Sequence, residues 1–238
     1  LFSFRITRPK SFKFRSGEFV MIGLLDSDDK PVLRAYSICS PSWSEELEFY
    51  SIIVKDGPLT SKLKNIKIGD EIIMMPKSTG TLVLDALKPG KRLFLLSSGT
   101  GFAPFAALIR EPETYERFES IVVTHTCRMI TELSYSQSII QECRDDELLK
   151  EFIDNKLLSY HSTTREDYIF NGRITELLST NKLFNDLKIN SISSDDRFMF
   201  CGSMGLNNDL KKIMIKNNLH EGANNNPAEF VLEKAFVD

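Results

Sequence analysis

The stretch Arg34-Ala-Tyr-Ser-Ile38 combines a permanent cation, an aromatic ring and a hydroxyl within five residues. Side chains on an extended segment alternate between faces, so Arg34 and Tyr36 are expected on one side and Ala35 and Ser37 on the other. A guanidinium is a rigid fork of donors matched to phosphate oxygens, and a tyrosine two residues along offers a flat surface to a fused aromatic ring. Ser37 then places a hydroxyl near the ring edge. Together these groups suit a flavin.

Two further stretches have the composition of anion sites. In Asp56-Gly-Pro-Leu-Thr-Ser-Lys62 a turn runs into a helix start, where Thr60 or Ser61 is expected to cap and free amides to face a phosphate. In Ser97-Ser-Gly-Thr-Gly-Phe-Ala-Pro104, an apolar strand leads through Gly99-Thr100-Gly101 into a helix opened by Pro104. A pyrophosphate fits such a helix entrance. The match to the dinucleotide fingerprint is partial, because Pro104 stands where the third glycine falls. The next strand, Ile121-Val-Val-Thr124, runs into His-Thr-Cys-Arg128 without the acid that would hold a bare ribose. A carboxylate there would repel an adenosine 2′-phosphate. Arg165, after Ser162-Thr-Thr164, and Arg173, after Gly172, both lie at strand-to-helix transitions, where wound sheets bind ligands. These arginines therefore predict a preference for NADP over NAD.

The elements that must position these groups fall into two rhythms. Up to about residue 88 the chain reads as short strands: Phe2, Phe4 and Ile6 alternating with polar residues, then Gly17 to Leu25, Leu47 to Lys55, and Glu71 to Met75. That spacing predicts a small antiparallel barrel. From Lys91 onward strands and helices alternate: a strand at Arg92–Leu96, a helix at Phe105–Ile109, a helix through Ser134 to Ile153, a strand near Leu157–Ser162 and a helix after Gly172. A strand at Arg197–Phe200, a helix from Gly205 to Leu219 and a last strand over Glu229–Val237 complete the pattern. This predicts a wound parallel sheet. The boundary between a domain over 1–88 and one over 89–238 is expected near Leu87 to Gly90.

The 238 residues leave room for two cores, and 42% hydrophobic with 26% charged residues excludes disorder. The net charge of −3 is uneven: residues 1–88 hold 13 Lys+Arg and 11 Asp+Glu, and the remainder 17 and 22. An acidic partner would favour the first half, and nucleic acid is not indicated. Cys39, Cys127, Cys143 and Cys201 follow no metal or iron–sulfur spacing, and His125, His161 and His220 are dispersed, so no metal is expected. Reduced thiols imply a cytoplasmic protein. No apolar run approaches the ~20 residues of a membrane helix, and a monomer is expected.

In this order, Arg34-Ala-Tyr-Ser37, Asp56-Gly-Pro-Leu-Thr-Ser61, Gly99-Thr-Gly-Phe-Ala-Pro104, Cys201-Gly-Ser203 and Phe230-Val-Leu-Glu-Lys-Ala-Phe236 resemble the bacterial-type ferredoxin/flavodoxin NADP reductases over nearly the whole chain. The resemblance implies an FAD-binding antiparallel barrel followed by an NADP-binding α/β domain. Arg34 would meet the FAD pyrophosphate and Tyr36 the isoalloxazine, with Ala35, Ser37, Tyr50, Ser51, Ile52, Gly57, Leu59, Thr60 and Ser61 completing the cradle. Gly99, Thr100, Gly101 and Gly202 would face NADP, with Thr164, Arg165 and Arg173 on the 2′-phosphate and Arg128 nearby. Ser37, Cys201 and Glu233 match positions beside flavin N5 and the nicotinamide, where they would orient rings and not act as nucleophiles. In the plant-type branch a tyrosine near the C-terminus covers the flavin. Here Ala235 occupies that place and Phe236 follows.

NADPH gives up two electrons at once, whereas ferredoxin or flavodoxin accepts one at a time, so a flavin between them reconciles the two. The alternatives are an NADPH-dependent flavin or quinone reductase, and an electron-transfer docking subunit of a larger complex. The missing cysteine clusters count against an iron–sulfur subunit.

Overall fold

A computed structural model describes residues 1–54, 57–153 and 155–234. The first five strands are β1 (Phe2–Thr7), β2 (Phe19–Leu25), β3 (Pro31–Ser37), β4 (Glu46–Ser51) and β5 (Ile73–Thr79). β1 pairs antiparallel with β4, placing Phe4 opposite Phe49, while β2 lies between β3 and β5, antiparallel to both. An isolated bridge from Ile38 to Phe49 joins the two sheets. The alternation in β1 turns Phe2, Phe4 and Ile6 onto a shared core with Val20, Ile22, Tyr36, Ile38 and Phe49. Each fully buried side chain there contributes roughly 1.5–3 kcal/mol. This is the expected barrel, built as two sheets. β5 starts later than expected and runs on through Pro76, because it is an edge strand and the proline falls opposite a register shift between Val20 and Ile22.

The second half is one parallel sheet: β6 (Arg92–Ser98), β7 (Ser120–Cys127), β8 (Leu157–Thr163), β9 (Phe170–Asn171), β10 (Asp196–Gly202) and β11 (Phe230–Lys234), in the order β11-β10-β6-β7-β8-β9. Alternate residues feed two cores. Leu93, Leu95, Ile121, Val123 and Met199 pack toward α2 (Ala103–Leu108), α3 (Pro112–Arg117), α4 (Ser134–Asp145) and α5 (Glu147–Ile153). Phe94, Leu96, Val122, Phe198 and Phe200 pack toward α6 (Ile174–Ser179), α7 (Lys182–Leu187) and α8 (Met204–Lys216). The first core also takes in Leu82, Val83, Leu84, Ala86, Leu87 and Tyr50, so the stretch between the halves is packed against the sheet.

The single helix expected over Ser134–Ile153 is two helices. Asp146 adopts an extended ψ of 120°, and its Oδ1 accepts from the Leu148 and Leu149 amides, which starts a new helix. Among the described residues no helix is long and apolar enough to cross a membrane. The four cysteines are buried and unbridged.

Candidate cofactor and electron-transfer site

The chain enters its parallel sheet at β6, winds outward to β9 and returns to β10 on the other side of β6, so the β6–β10 junction is the point where strand order reverses. Open parallel sheets bind ligands at the carboxyl ends beside such a point. Here the loop after β6 carries Gly99, Thr100 and Gly101, and the end of β10 carries Cys201 and Gly202. Gly99 sits at φ +53°, and a Cβ added to it would meet nothing within 4 Å among the described residues. Gly101 differs, because a Cβ there would lie 2.1 Å from the Cys201 carbonyl oxygen. The two loops are thus in backbone contact, with one open side at Gly99. Pro104 lies in the first turn of α2, as its missing amide predicts.

Cys201 is opposite Glu233 in the β10–β11 register. Burial pushes the Cys201 thiol up, Glu233 adding to the shift, so it is protonated at neutral pH. The Glu233 carboxylate crosses to the barrel end, where Oε1 accepts from the Thr81 amide and, at 3.3 Å, from the Thr81 hydroxyl. Burial raises its pKa to about 7, against the opposing Thr81 bonds. Asn207 on α8 donates to the Glu233 carbonyl at 2.7 Å, and its own Oδ1 is buried without a partner among the described residues.

On β3, Arg34 and Ala35 are exposed, Ser37 is half-buried and Tyr36 is buried. The Tyr36 ring is held edge-on by Phe49 at 6.2 Å and Phe4 at 6.3 Å, and its hydroxyl lies 3.1 Å from Ser51 Oγ. Arg34 Nη1 donates to the carbonyl of its neighbour Leu33 at 2.8 Å, which leaves most of its fork toward solvent. The Tyr50 ring stacks on Tyr135 of α4, with centroids 4.2 Å apart, and its hydroxyl donates to the Glu132 carbonyl at 3.4 Å. Glu233 and Tyr50 thus join barrel to sheet, alongside Arg110, which donates to Glu48 at 3.1 Å, and Glu111, which accepts from the Ser42 amide at 2.7 Å.

The capped helix start expected at Thr60 or Ser61 is different. α1 (Thr60–Leu63) is one turn whose N-cap, Leu59, makes no side-chain cap. Thr60 Oγ1 instead accepts from the Val54 amide at 3.1 Å, and Ser61 Oγ donates to the Gly57 carbonyl at 2.5 Å. The amides of Gly57, Ser61 and Lys62 are spent on internal carbonyls, so those three are not offered to a phosphate. Gly57 is confined, with an added Cβ only 2.7 Å from Thr60 Oγ1; Leu59 is buried and Ile52 half-buried. Asp56, Ala235 and Phe236 lie outside the described residues.

At the far side of the sheet, a pocket is lined by Thr163, Thr164, Arg165, Glu166, Asp167, Asn171, Gly172, Arg173 and Glu176, so two guanidinia share it with three carboxylates. The Arg165 amide donates to the Arg128 carbonyl and the Thr164 amide to that of Cys127, both at 3.0 Å, which draws the ends of β7 and β8 together. Gly172, at φ +128°, donates its amide to Thr163 and turns the chain so that Arg173 opens α6. The guanidinia that pair with carboxylates are those of Arg5, Arg15, Arg92, Arg110 and Arg117. Among the described residues no such pair involves Arg128, Arg165 or Arg173. The Glu166 carboxylate accepts from the Ile130 amide at 2.5 Å.

Sequence reasoning passed over Thr81, Asn207 and Tyr135, and treated His125 and His161 as dispersed. His125 and His161 are adjacent in register on β7 and β8, yet the described residues contain no metal-holding cluster. Strand-end position beside the glycine loop was the signal available for His125.

A family model, the oxidoreductase FAD-binding domain, matches residues 1–92. The flavodoxin/ferredoxin–NADP reductase of Rhodobacter capsulatus is 55% identical over 238 residues, all of this chain and 88% of the relative. The ferredoxin–NADP reductase of Azotobacter vinelandii is 45% identical, over all of this chain and 93% of its own length. Among solved structures, a ferredoxin NADP+ reductase from Neisseria gonorrhoeae with bound FAD and NADP superposes with a TM-score of 0.88 at 26% identity, covering 98% of this chain and 92% of that one. The barrel, the wound sheet and this full-length similarity agree: the chain belongs to the flavodoxin/ferredoxin–NADP reductase family.

Proposed function

We propose that the protein is an FAD-dependent oxidoreductase that moves electrons between NADPH and ferredoxin or flavodoxin, with its two units divided near Leu87–Gly90. The observation that carries this reading is the junction of the sheet's carboxyl edge with the barrel, where Glu233 of β11 bonds Thr81. It fixes the end of β11, and β10 paired with it, against the barrel at Thr81.

The residues present fit both nucleotides. Arg34 keeps free donors for the FAD phosphates, and Gly99 leaves open space where a Cβ would otherwise approach a pyrophosphate. Arg165 and Arg173, with Arg128 bonded through its carbonyl to the Arg165 amide, supply the positive charge that a 2′-phosphate requires. FAD, when bound, supplies the exchange between a two-electron donor and one-electron acceptors. The chain's own residues orient and exclude. Tyr36 is held in one orientation by Phe4, Phe49 and Ser51, and Ser37, half-buried next to it in the chain, supplies a hydroxyl. Cys201, held as a thiol, fills the space beside Glu233 without charge. Glu233, with Oε1 occupied by Thr81, keeps its proton on Oε2 up to about pH 7.

Lys62, Lys64 and Lys67 are exposed on and after α1, and they would steer an acidic carrier protein toward the barrel. The reading includes a cytoplasmic monomer with no nucleic-acid partner. Purified protein should be yellow with about one FAD per chain, and should catalyse NADPH-dependent dye reduction by itself and reduce ferredoxin or flavodoxin. A chain without turnover in the dye assay would instead be a docking subunit, and one that reduces free flavin or quinone but neither carrier would be a flavin or quinone reductase.

A further inference from the structure

Beneath the Gly99–Gly101 loop lies a buried chain of polar groups to which the proposed function assigns no role. His125, on β7, places Nε2 2.8 Å from the Gly99 carbonyl and Nδ1 2.7 Å from Ser136 Oγ on α4. His161, the next residue across on β8, places Nε2 3.1 Å from the same Ser136 oxygen. The imidazole of His125 packs against Phe102, its centroid 5.1 Å away, in the short turn that follows the loop.

The protons in this chain can be assigned. A carbonyl only accepts, so the Gly99 contact requires a hydrogen on His125 Nε2. A neutral His125 then has a bare Nδ1, which must accept from the Ser136 hydroxyl. Ser136 has one proton, so its other close contact on this side, His161 Nε2, must be the donor to it. The Leu133 carbonyl, 2.9 Å from Ser136 Oγ, would compete for that proton, but giving it up would set the Nδ1 and Oγ lone pairs against each other at 2.7 Å. Burial favours the neutral forms throughout, lowering His125 to about 3 and His161 to about 4. The Cys127 sulfur, 3.2 Å from Nε2, is a weak acceptor beside the same hydrogen and leaves the assignment unchanged.

We infer that His125 is a positioning residue for the pyrophosphate-binding loop: its Nε2–H holds the Gly99 carbonyl beneath the loop, and the His161–Ser136 pair holds His125 in the tautomer that can do so. Gly99 adopts the left-handed conformation, from which a peptide could rotate its carbonyl toward the ligand side. Anchoring that carbonyl in the core keeps oxygen away from an incoming phosphate and leaves the loop amides to face it. The inference rests on the reading of Gly99–Gly101 as the pyrophosphate site.

The test compares His125→Asn with His125→Gln in the FAD-loaded protein. Asparagine keeps an acceptor near the Nδ1 position but cannot reach Gly99, whereas glutamine can place an amide N–H near the Nε2 position. Calorimetric binding of NADP+ should weaken about tenfold in H125N, the scale of one buried hydrogen bond, and recover in H125Q. Adenosine 2′-phosphate, which has no pyrophosphate, should bind both variants as it binds the parent. In the unsubstituted protein, imidazole ¹⁵N NMR should show His125 neutral and protonated at Nε2. An Nδ1–H tautomer, or equal losses for NADP+ and adenosine 2′-phosphate in H125N, would overturn the inference. Gly99→Ala separates it from the reading beneath it. If G99A weakens NADP+ and H125N does not, the His125 inference alone falls. If neither variant changes NADP+ binding, the loop is not the pyrophosphate site and both fall.

Discussion

Two kinds of region in this molecule are suited to nucleotide ligands and are built in opposite ways. The β6–β10 junction is made of backbone and buried side chains: Gly101 against the Cys201 carbonyl, Glu233 locked onto Thr81, His125 under Gly99. The outer edge, with Arg128, Arg165 and Arg173, and the barrel strand bearing Arg34 present long charged side chains to solvent. A site made of backbone cannot be altered without altering the fold around it, whereas an exposed guanidinium can be removed with little effect on stability. On the proposed reading, the first kind of site fixes where a dinucleotide lies. The second can decide which dinucleotide is accepted.

That division gives predictions of graded size. Gly101→Val would drive side-chain atoms into the Cys201 carbonyl, where even a Cβ is only 2.1 Å away. It should destabilise by about 3 kcal/mol or more, seen in a denaturant midpoint, and take the binding of both nicotinamide cofactors with it. A variant of parental stability would mean that the two loops are not in contact. Glu233 comes next. Its folded pKa of about 7 exceeds the ordinary 4.5, so the folded state holds a proton that the unfolded state has lost. The resulting penalty is absent below pH 4.5, grows as pH rises to about 7 and then levels off, at up to roughly 3 kcal/mol. Glu233→Gln, which keeps an acceptor for Thr81, should therefore melt higher than the parent at pH 8 and like it at pH 4. Equal melting temperatures at both would show the carboxylate to be well solvated.

The exposed region should respond differently. Arg165→Ala or Arg173→Ala, each removing a contact worth roughly 1.5–3 kcal/mol, should lower kcat/KM for NADPH by about one to two orders of magnitude without moving Tm. Arg34→Ala should release FAD more readily by a similar factor, read by flavin fluorescence on dilution. Unchanged affinity would remove Arg34 from the flavin site. The smallest effect belongs to Lys62, Lys64 and Lys67. Charge reversal there should slow carrier reduction at low salt and lose its effect as screening shortens to about 8 Å near physiological ionic strength. Salt-independent rates would show that these lysines do not steer.

What was legible in the sequence follows the same line between local and distant. The glycine loop, Pro104 and the arginines after β8 and β9 were readable because chain neighbours decide their placement. The break at Asp146 was missed because no glycine or proline marks it; the apolar spacing slips there, from Ile139, Ile140 and Cys143 to Leu149 and Ile153, and the side chain's bond to two later amides starts the second helix. Thr60 and Ser61 were read as caps by their type, but their hydroxyls close the turn onto Val54 and Gly57. The Glu233–Thr81 bond spans 152 positions, and the pairing of His125 with His161 requires the β7–β8 register. No local pattern carries either one.

The central claim is that position and discrimination reside in different regions, and the ratio of kcat/KM for NADPH to that for NADH tests it most directly. It should be measured in the parent, in the Arg165→Ala/Arg173→Ala double variant and in Gly99→Ala. The account predicts that the double variant loses NADPH activity while NADH activity stays near the parent value, so the ratio collapses. In Gly99→Ala both activities should fall together, since both cofactors carry the pyrophosphate, and the ratio should hold. A double variant that loses both cofactors equally, or a Gly99→Ala protein whose ratio changes, would contradict it.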